Sequence, residues 1–348
     1  MKIKALKYLL VYSLPLAVFY SFRNEGWSTF LPIIYSFGVI PVLELFIKPS
    51  SANIDEAEQA LRKADFLYDF LLYLIVPIQV WFVIWYFFII QNVEVNTATF
   101  WGRTISLGLM CGVLGINVAH ELGHRVKGYE KLMAKVLLMT SLYPHFFIEH
   151  NYGHHKNVAT PEDPASARYN EVLYVFWIRS MIFAYISAWK IENKRVRRKE
   201  GSAFSLKNEM ILFTLVEILL LVGITAFLGI TAVLGFCVAA FTGILLLETV
   251  NYIEHYGLSR NKVSDNRYEN ATVIHSWNSN HLVGRLMLFE LSRHSDHHAN
   301  PVKKYQVLES YDESPQMPTG YPGMMILSAF PPLWFTVMNK RVRKYQSV

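Results

Sequence analysis

The chain has 348 residues, 53% of them hydrophobic and only 17% charged, with a formal net charge of +6. A soluble globule carries about a quarter charged residues, so the deficit points to a lipid environment. Two cysteines and no C-x-x-C exclude a disulfide framework, a zinc ribbon and a fused four-thiolate iron–sulfur domain; the positive charge follows from topology and needs no nucleic acid.

A helix needs roughly 20 apolar residues to cross the hydrocarbon core. Six stretches qualify, at about 6–22, 28–47, 66–90, 98–119, 210–229 and 230–249. Pro15 interrupts the first and shortest, and no small-residue cleavage site follows it, so it is expected to stay attached. With the N-terminus inside, every Lys and Arg except Arg23 and Arg103 falls on one side or at span ends entering it. That asymmetry makes the basic side cytoplasmic. The expected fold is an all-α integral membrane protein of one domain, 1–348, with six transmembrane helices. A histidine-rich cytoplasmic cap, 120–209 and 250–348, sits over them, with both termini on its side. From Ile230 to His255 the helix would extend about 39 Å against a core of about 30 Å, so it projects into the cap. Within the cap, Val172–Trp189 is apolar, but Glu171, Arg179 and Lys190 predict an interfacial helix, followed by a basic, lipid-phosphate-facing run from Lys194 to Lys199. Near the C-terminus, Met324–Met338 is broken by Pro331-Pro332 and is too short to span. Glu217, well inside the fifth stretch, is a costly ionisable group without an assigned role.

Nine of the 12 histidines fall into groups with ligand spacing. His120 and His124 are four apart and share a helical face; His150 and His154 repeat that pair, with His155 adjacent; His294, His297 and His298 share another face. His255 stands alone at the projecting end of the sixth stretch. Neutral imidazole binds iron, zinc or copper, and nine nitrogens suit two ions with four or five each. His145, His275 and His281 lack a partnered spacing and are expected to be structural or to stand behind the ligands. His120-Glu121-Leu122-Gly123-His124 also matches a zinc metalloprotease signature, but that reading leaves seven clustered histidines unexplained. Glu121, Glu149, Glu254 and Asp296 each adjoin a ligand in sequence. Helix neighbours point about 100° apart, so each acid is expected to support a histidine of another group and to balance metal charge.

The stretches H-E-L-G-H (120–124), E-H-N-Y-G-H-H-K-N-V-A-T-P-E-D-P-A (149–165), N-Y-I-E-H-Y-G-L (251–258), S-W-N-S-N-H (276–281), R-H-S-D-H-H-A (293–299) and P-T-G-Y-P-G (318–323) resemble the bacterial membrane-bound alkane 1-monooxygenases. That family belongs to the larger fatty-acid desaturase/hydroxylase group, and the resemblance covers essentially the whole chain. It implies terminal hydroxylation of medium- to long-chain n-alkanes with O2 at a non-haem di-iron centre. His120, His124, His150, His154, His155, His255, His294, His297 and His298 would hold the two irons. It further implies electrons from rubredoxin, itself reduced by an NAD(P)H-dependent reductase, and a place in the bacterial inner membrane. Arg125 stands where the family often has Lys, and Ser292 where it usually has Gln; neither departure removes a ligand. The alternatives are an acyl-chain or aromatic-methyl hydroxylase or desaturase of the same group and, in another class, the intramembrane zinc protease.

An alkane dissolves in the bilayer, so its path is expected between spans. Gly108, Gly112, Gly115 and Ala119 form a small-residue line leading to His120, and Ser36 could lengthen such a channel; close helix packing is the competing explanation for the line. Rubredoxins are acidic, so docking is expected on basic residues near the histidines: Arg125, Lys127, Lys156, Arg293, Lys303 and Lys304.

Overall fold

The computed structural model describes residues 2–265 and 267–345. Apart from a small hairpin, Lys262–Ser264 against Arg267–Tyr268, its regular elements are helical. Four helices are long and apolar enough to cross a membrane: Gly26–Phe46, Phe66–Ile90, Ala98–Gly123 and Glu209–His255. The last is two helices in one. Gly229, at φ 84° and ψ 172°, breaks it between the fifth and sixth apolar stretches, a conformation that glycine takes without a side-chain penalty. The 2–23 segment is also helical, with a tight 3-10 portion at Leu6–Tyr12 just before Pro15. Outward faces carry exposed Leu45, Phe46, Phe88, Phe227 and Ile230, as lipid-facing helices do.

Helix starts follow local chemistry. Asp65 caps Phe66–Ile90 by accepting the Leu67 N–H, and Thr97 caps Ala98–Met110 by accepting the Phe100 N–H. At the end remote from the histidines, the Arg103 guanidinium donates to the Ile89 and Asn24 carbonyls and ties three segments together. Between the ends, Ala98–Gly123 packs on 230–255 along small residues. A β-carbon on Gly108 would lie 2.6 Å from Thr242, and one on Gly243 would lie 2.7 Å from Cys111. Backbones approach that closely only where side chains are absent.

Among the described residues three segments are π-helical: Tyr35–Val39 and Cys111–Ile116 within two of these helices, and His150–His154 between the short helices Phe146–Glu149 and His155–Asn157. Each changes which side chains share a face, because its hydrogen bonds run i to i+5.

Leu173–Glu200 is one helix that includes the basic run and ends on Gly201 in the left-handed conformation, φ 76°. The proline-broken C-terminal stretch forms two short helices, Tyr321–Ser328 and Pro331–Val342. They bury Trp334 and Met338 against Tyr252, Tyr256 and Trp277, which anchors the end of the sixth stretch beneath the cap. A second fastening is ionic. Buried Glu290 accepts from Tyr8 and Arg285 and pairs with Lys7, joining the N-terminal helix to the segment around Leu282–Met287. Burial opposes its ionisation, but the Arg285 and Lys7 charges outweigh burial and hold its carboxyl down to about 2.

Candidate metal centre

The nine histidines converge in two adjoining groups. His120, His124, His150, His155 and His297 form one, and His154, His255, His294 and His298 the other; within each, the ligand nitrogens lie within 4.8 Å of one another. The Nε2 atoms of His124 and His155 each stand 3.0 Å from Nε2 of His150, and His297 stands 3.2 Å from His155. In the second group, His154 is 3.2 Å from His298 and His294 is 3.3 Å from His255. Two nitrogens bound about 2.1 Å from one ion at tetrahedral or right angles lie about 3.0–3.4 Å apart, so the spacing fits a common ion in each group. Hydrogen bonding among the rings cannot replace it: one N–H on His150 cannot satisfy two neighbours, and Nε2 of His120 is buried without a partner.

Helical phase decides which histidine joins which group. His120 and His124 share the first group, as their spacing of four predicts. His294 and His298 do the same in the second, while His297 turns to the first. His150 and His154 do not behave as their spacing predicts. They lie in a π-helical segment whose i to i+5 register aligns His150 with His155 and turns His154 toward His255 and His298. Burial and then the neighbouring rings push His150, His155, His297 and His298 well below the usual imidazole range, so they present neutral nitrogens. His145 lies outside both groups, packed edge-on to Tyr143 and Tyr185, as do His275 beside Thr272 and His281 beside Ser279.

The four acids part company. Glu254 does face a ligand: its Oε2 lies 3.2 Å from Nε2 of His294 while Oε1 accepts from Tyr321 at 2.6 Å. It meets the ligand nitrogen itself, so its oxygen borders the space an ion would take. Glu121 instead accepts from Arg125 and the Tyr305 N–H, and touches no histidine among the described contacts. That removes it as a ring support, and also as the general base a zinc protease would require. Asp296 is likewise occupied by Lys303, Asn300 and the Glu309 N–H. Glu149 is buried beside Gly153 with Oε1 unpartnered. The acid that supports a ring is one the sequence reading missed. Asp163, buried in the P-E-D-P turn, accepts from Nδ1–H of His154 at 2.9 Å and from Ser166 Oγ at 2.6 Å. Burial opposes its ionisation, yet His154 and Ser166 outweigh that and hold its carboxyl below the usual range. The only signal was an acid inside the long motif, nine residues from its partner.

An apolar cavity lies under the groups, bordered by His120, His150, His294 and Glu254 and walled by Ser36, Ile40, Gly112, Leu246, Met287 and Met325. Ser36 and Gly112 line this cavity. Gly108, Gly115 and Ala119 do not: Gly108 packs on Thr242 and Gly115 on Ser141 and Thr140, while Ala119 is buried outside the cavity wall. The docking residues divide similarly. Arg125 and Arg293 are buried, the first paired with Asp69 and Glu121, the second bonded to the Leu308 and Ala52 carbonyls, so neither presents charge to a partner. Lys303 pairs with Asp296 and Glu309, and Lys304 with Asp69. Lys127 and Lys156 are exposed.

Long apolar helices beneath two adjoining all-histidine groups define a membrane metalloenzyme of the desaturase and hydroxylase class. The pattern of the fatty acid desaturase family matches residues 96–327. Over 343 residues the chain is 39% identical to alkane 1-monooxygenase 2 of Pseudomonas aeruginosa, covering 96% of this chain and 90% of that one. It is 40% identical to alkane 1-monooxygenase 1 of the same organism over 326 residues (92% and 85%). With alkane 1-monooxygenase 1 of Alcanivorax borkumensis the identity is 37% over 333 residues (95% and 82%). The chain belongs to the alkane 1-monooxygenase family.

Proposed function

We propose that this protein hydroxylates the terminal carbon of medium- to long-chain n-alkanes, RH + O2 + 2 electrons + 2 protons giving ROH + H2O. The observation that carries the reading is the apolar cavity that opens directly onto both histidine groups. A primary C–H bond is too strong for acid–base or nucleophilic chemistry, and two irons bound by the nine histidines supply the oxidising power. His120, His124, His150, His155 and His297 hold one iron, and His154, His255, His294 and His298 the other. The chain's own work is geometric. Asp163 fixes the ring of His154, Glu254 places a carboxylate against the second group, and the cavity walls exclude water and aim the chain end.

Residues 1–348 act as one domain, with six spans in a bacterial inner membrane and with the cap and both termini cytoplasmic. The Lys and Arg distribution supports that orientation. Electrons come from a separate carrier, rubredoxin, docking on the cap. The test is anaerobic reconstitution with ferrous iron, followed by a rubredoxin system, O2 and a ladder of alkanes. The expected result is two irons per chain and 1-alkanols as products. Full iron loading without alcohol formation from any alkane would refute the assignment. Turnover of acyl chains or xylenes in preference to alkanes would move the protein elsewhere within its class.

A further inference from the structure

Glu44 ends a lipid-facing helix, yet only 3% of it is exposed. Its Oε1 accepts the Gly284 N–H at 2.8 Å, and its Oε2 is buried with no hydrogen-bond partner among the described residues. A β-carbon on Gly320 would fall 1.9 Å from Oε2, and one on Gly284 would fall 3.0 Å from Oε1. The carboxylate thus sits in a cradle that two glycines keep open. A half-satisfied buried carboxylate is costly, so its place calls for a reason.

Each segment meeting at the cradle also carries part of the cavity wall. Ser36 and Ile40, which wall the cavity, precede Glu44 by eight and four residues in Gly26–Phe46. Gly284 lies in Leu282–Met287, which contributes Met287. Gly320 caps Tyr321–Ser328, which contributes Met325 and the Tyr321 hydroxyl bonded to Glu254. One carboxylate therefore joins three walls that are far apart in sequence. Resting on the hydroxylase reading above, we propose that Glu44 is a positioning residue for the lipophilic substrate. By clamping the three walls it fixes how the chain end lies beneath the metal groups, and so which carbon is hydroxylated.

The experiment compares wild type with Glu44→Ala, Glu44→Gln, Gly320→Ala and the double variant Glu44→Ala/Gly320→Ala. Iron per chain, Tm, KM and kcat for octane, and the ratio of 2-octanol to 1-octanol are measured. Glu44→Ala should keep its iron, raise the 2-octanol share at least about five-fold and raise KM more than it lowers kcat. Glu44→Gln preserves shape and the acceptor for Gly284, so it should recover most of the wild-type ratio. Gly320→Ala should shift the ratio as Glu44→Ala does, because the added methyl group evicts the carboxylate. For the same reason the double variant should be no worse than either single one. An unchanged ratio in iron-loaded Glu44→Ala, or additive effects in the double variant, would overturn the proposal. Should Glu44→Ala fail to fold, an unchanged ratio in Gly320→Ala would overturn it as well. A wild type inactive on octane and every other alkane refutes the hydroxylase reading and this one with it. An active wild type with unshifted variants refutes only this one.

Discussion

The two histidine groups are built from the same ligand type but differ in surroundings. His154, His255, His294 and His298 are all buried, and two carboxylates stand against them: Asp163 on the far nitrogen of His154 and Glu254 at the ligand nitrogen of His294. The five-histidine group has no carboxylate in hydrogen-bond reach among the described contacts, and two of its members, His124 and His155, are partly exposed. One group is fully buried with carboxylates beside it; the other is partly open and has none in reach. Identical ligands therefore give two unlike sites, and the difference lies in what stands behind each ring.

The largest expected effect is loss of a ligand from the closed group. His255→Ala removes one of that group's four buried nitrogens. Iron should fall toward one per chain, and hydroxylation should drop below detection. His124→Ala removes one of five from the open group, where water can take the vacant position, so more iron should remain. Equal losses of iron in the two variants, measured by metal analysis of purified protein, would erase the contrast.

Next in size is the contrast between acids. Asp163→Asn leaves His154 without its carboxylate and should cost about 10–100-fold in metal affinity or turnover, the usual range for such partners. Glu121→Gln, although it adjoins a ligand in sequence, should spare iron affinity. It breaks a buried pair with Arg125, which keeps Asp69, so a stability loss of up to about 3 kcal/mol is expected. Iron titration and thermal unfolding of both variants separate the two roles. The assignment fails if Glu121→Gln loses iron and Asp163→Asn does not.

Gly112→Leu probes the wall instead of the metals. A β-carbon there already lies 3.0 Å from Leu246 and 3.1 Å from the Gly243 carbonyl, so a leucine must push the sixth stretch away. Overpacking of this kind costs about 1–3 kcal/mol. Activity on all chain lengths should fall together with Tm, and selective loss of alkanes longer than about ten carbons would instead show that the added side chain enters the cavity.

Much of this arrangement was legible in the sequence because it rests on composition and period. Apolar runs marked the long helices, and the spacing of the nine histidines marked the residues that converge in two groups. Two of the misreadings concern contacts that residue spacing alone does not reveal. Asp163 reaches His154 through a turn, and Arg125 looked like surface charge because Asp69, its buried partner, is 56 residues away. The assignment of His150 and His154 failed because a period of 3.6 was assumed where the backbone runs in π-helical register. Of the small-residue line only Gly112 reaches the cavity, because a glycine spared for packing and one spared for a ligand read alike until the neighbouring helix is in place. Glu44 carried no signal at all, since its cradle joins residues 44, 284 and 320.

The smallest expected effect concerns electron entry, which the open group should govern. His124 and His155 are its partly exposed members, and the exposed Lys127 and Lys156 follow them by three residues and by one. An acidic carrier drawn to those charges would dock beside these two rings. Reversing both charges, Lys127→Glu with Lys156→Glu, should slow turnover several-fold at low salt with limiting donor, while iron content and Tm stay unchanged. The defect should shrink as salt rises, because the Debye length falls from about 10 Å at 0.1 M to about 3 Å at 1 M. Charge reversal at Lys190 and Lys194, near the basic end of Leu173–Glu200, serves as the control. If that control slows turnover as much, steering belongs to the cap as a whole and the open group holds no privileged approach. If the Lys127 and Lys156 defect persists at 1 M salt, those side chains act through specific contacts and not through long-range attraction.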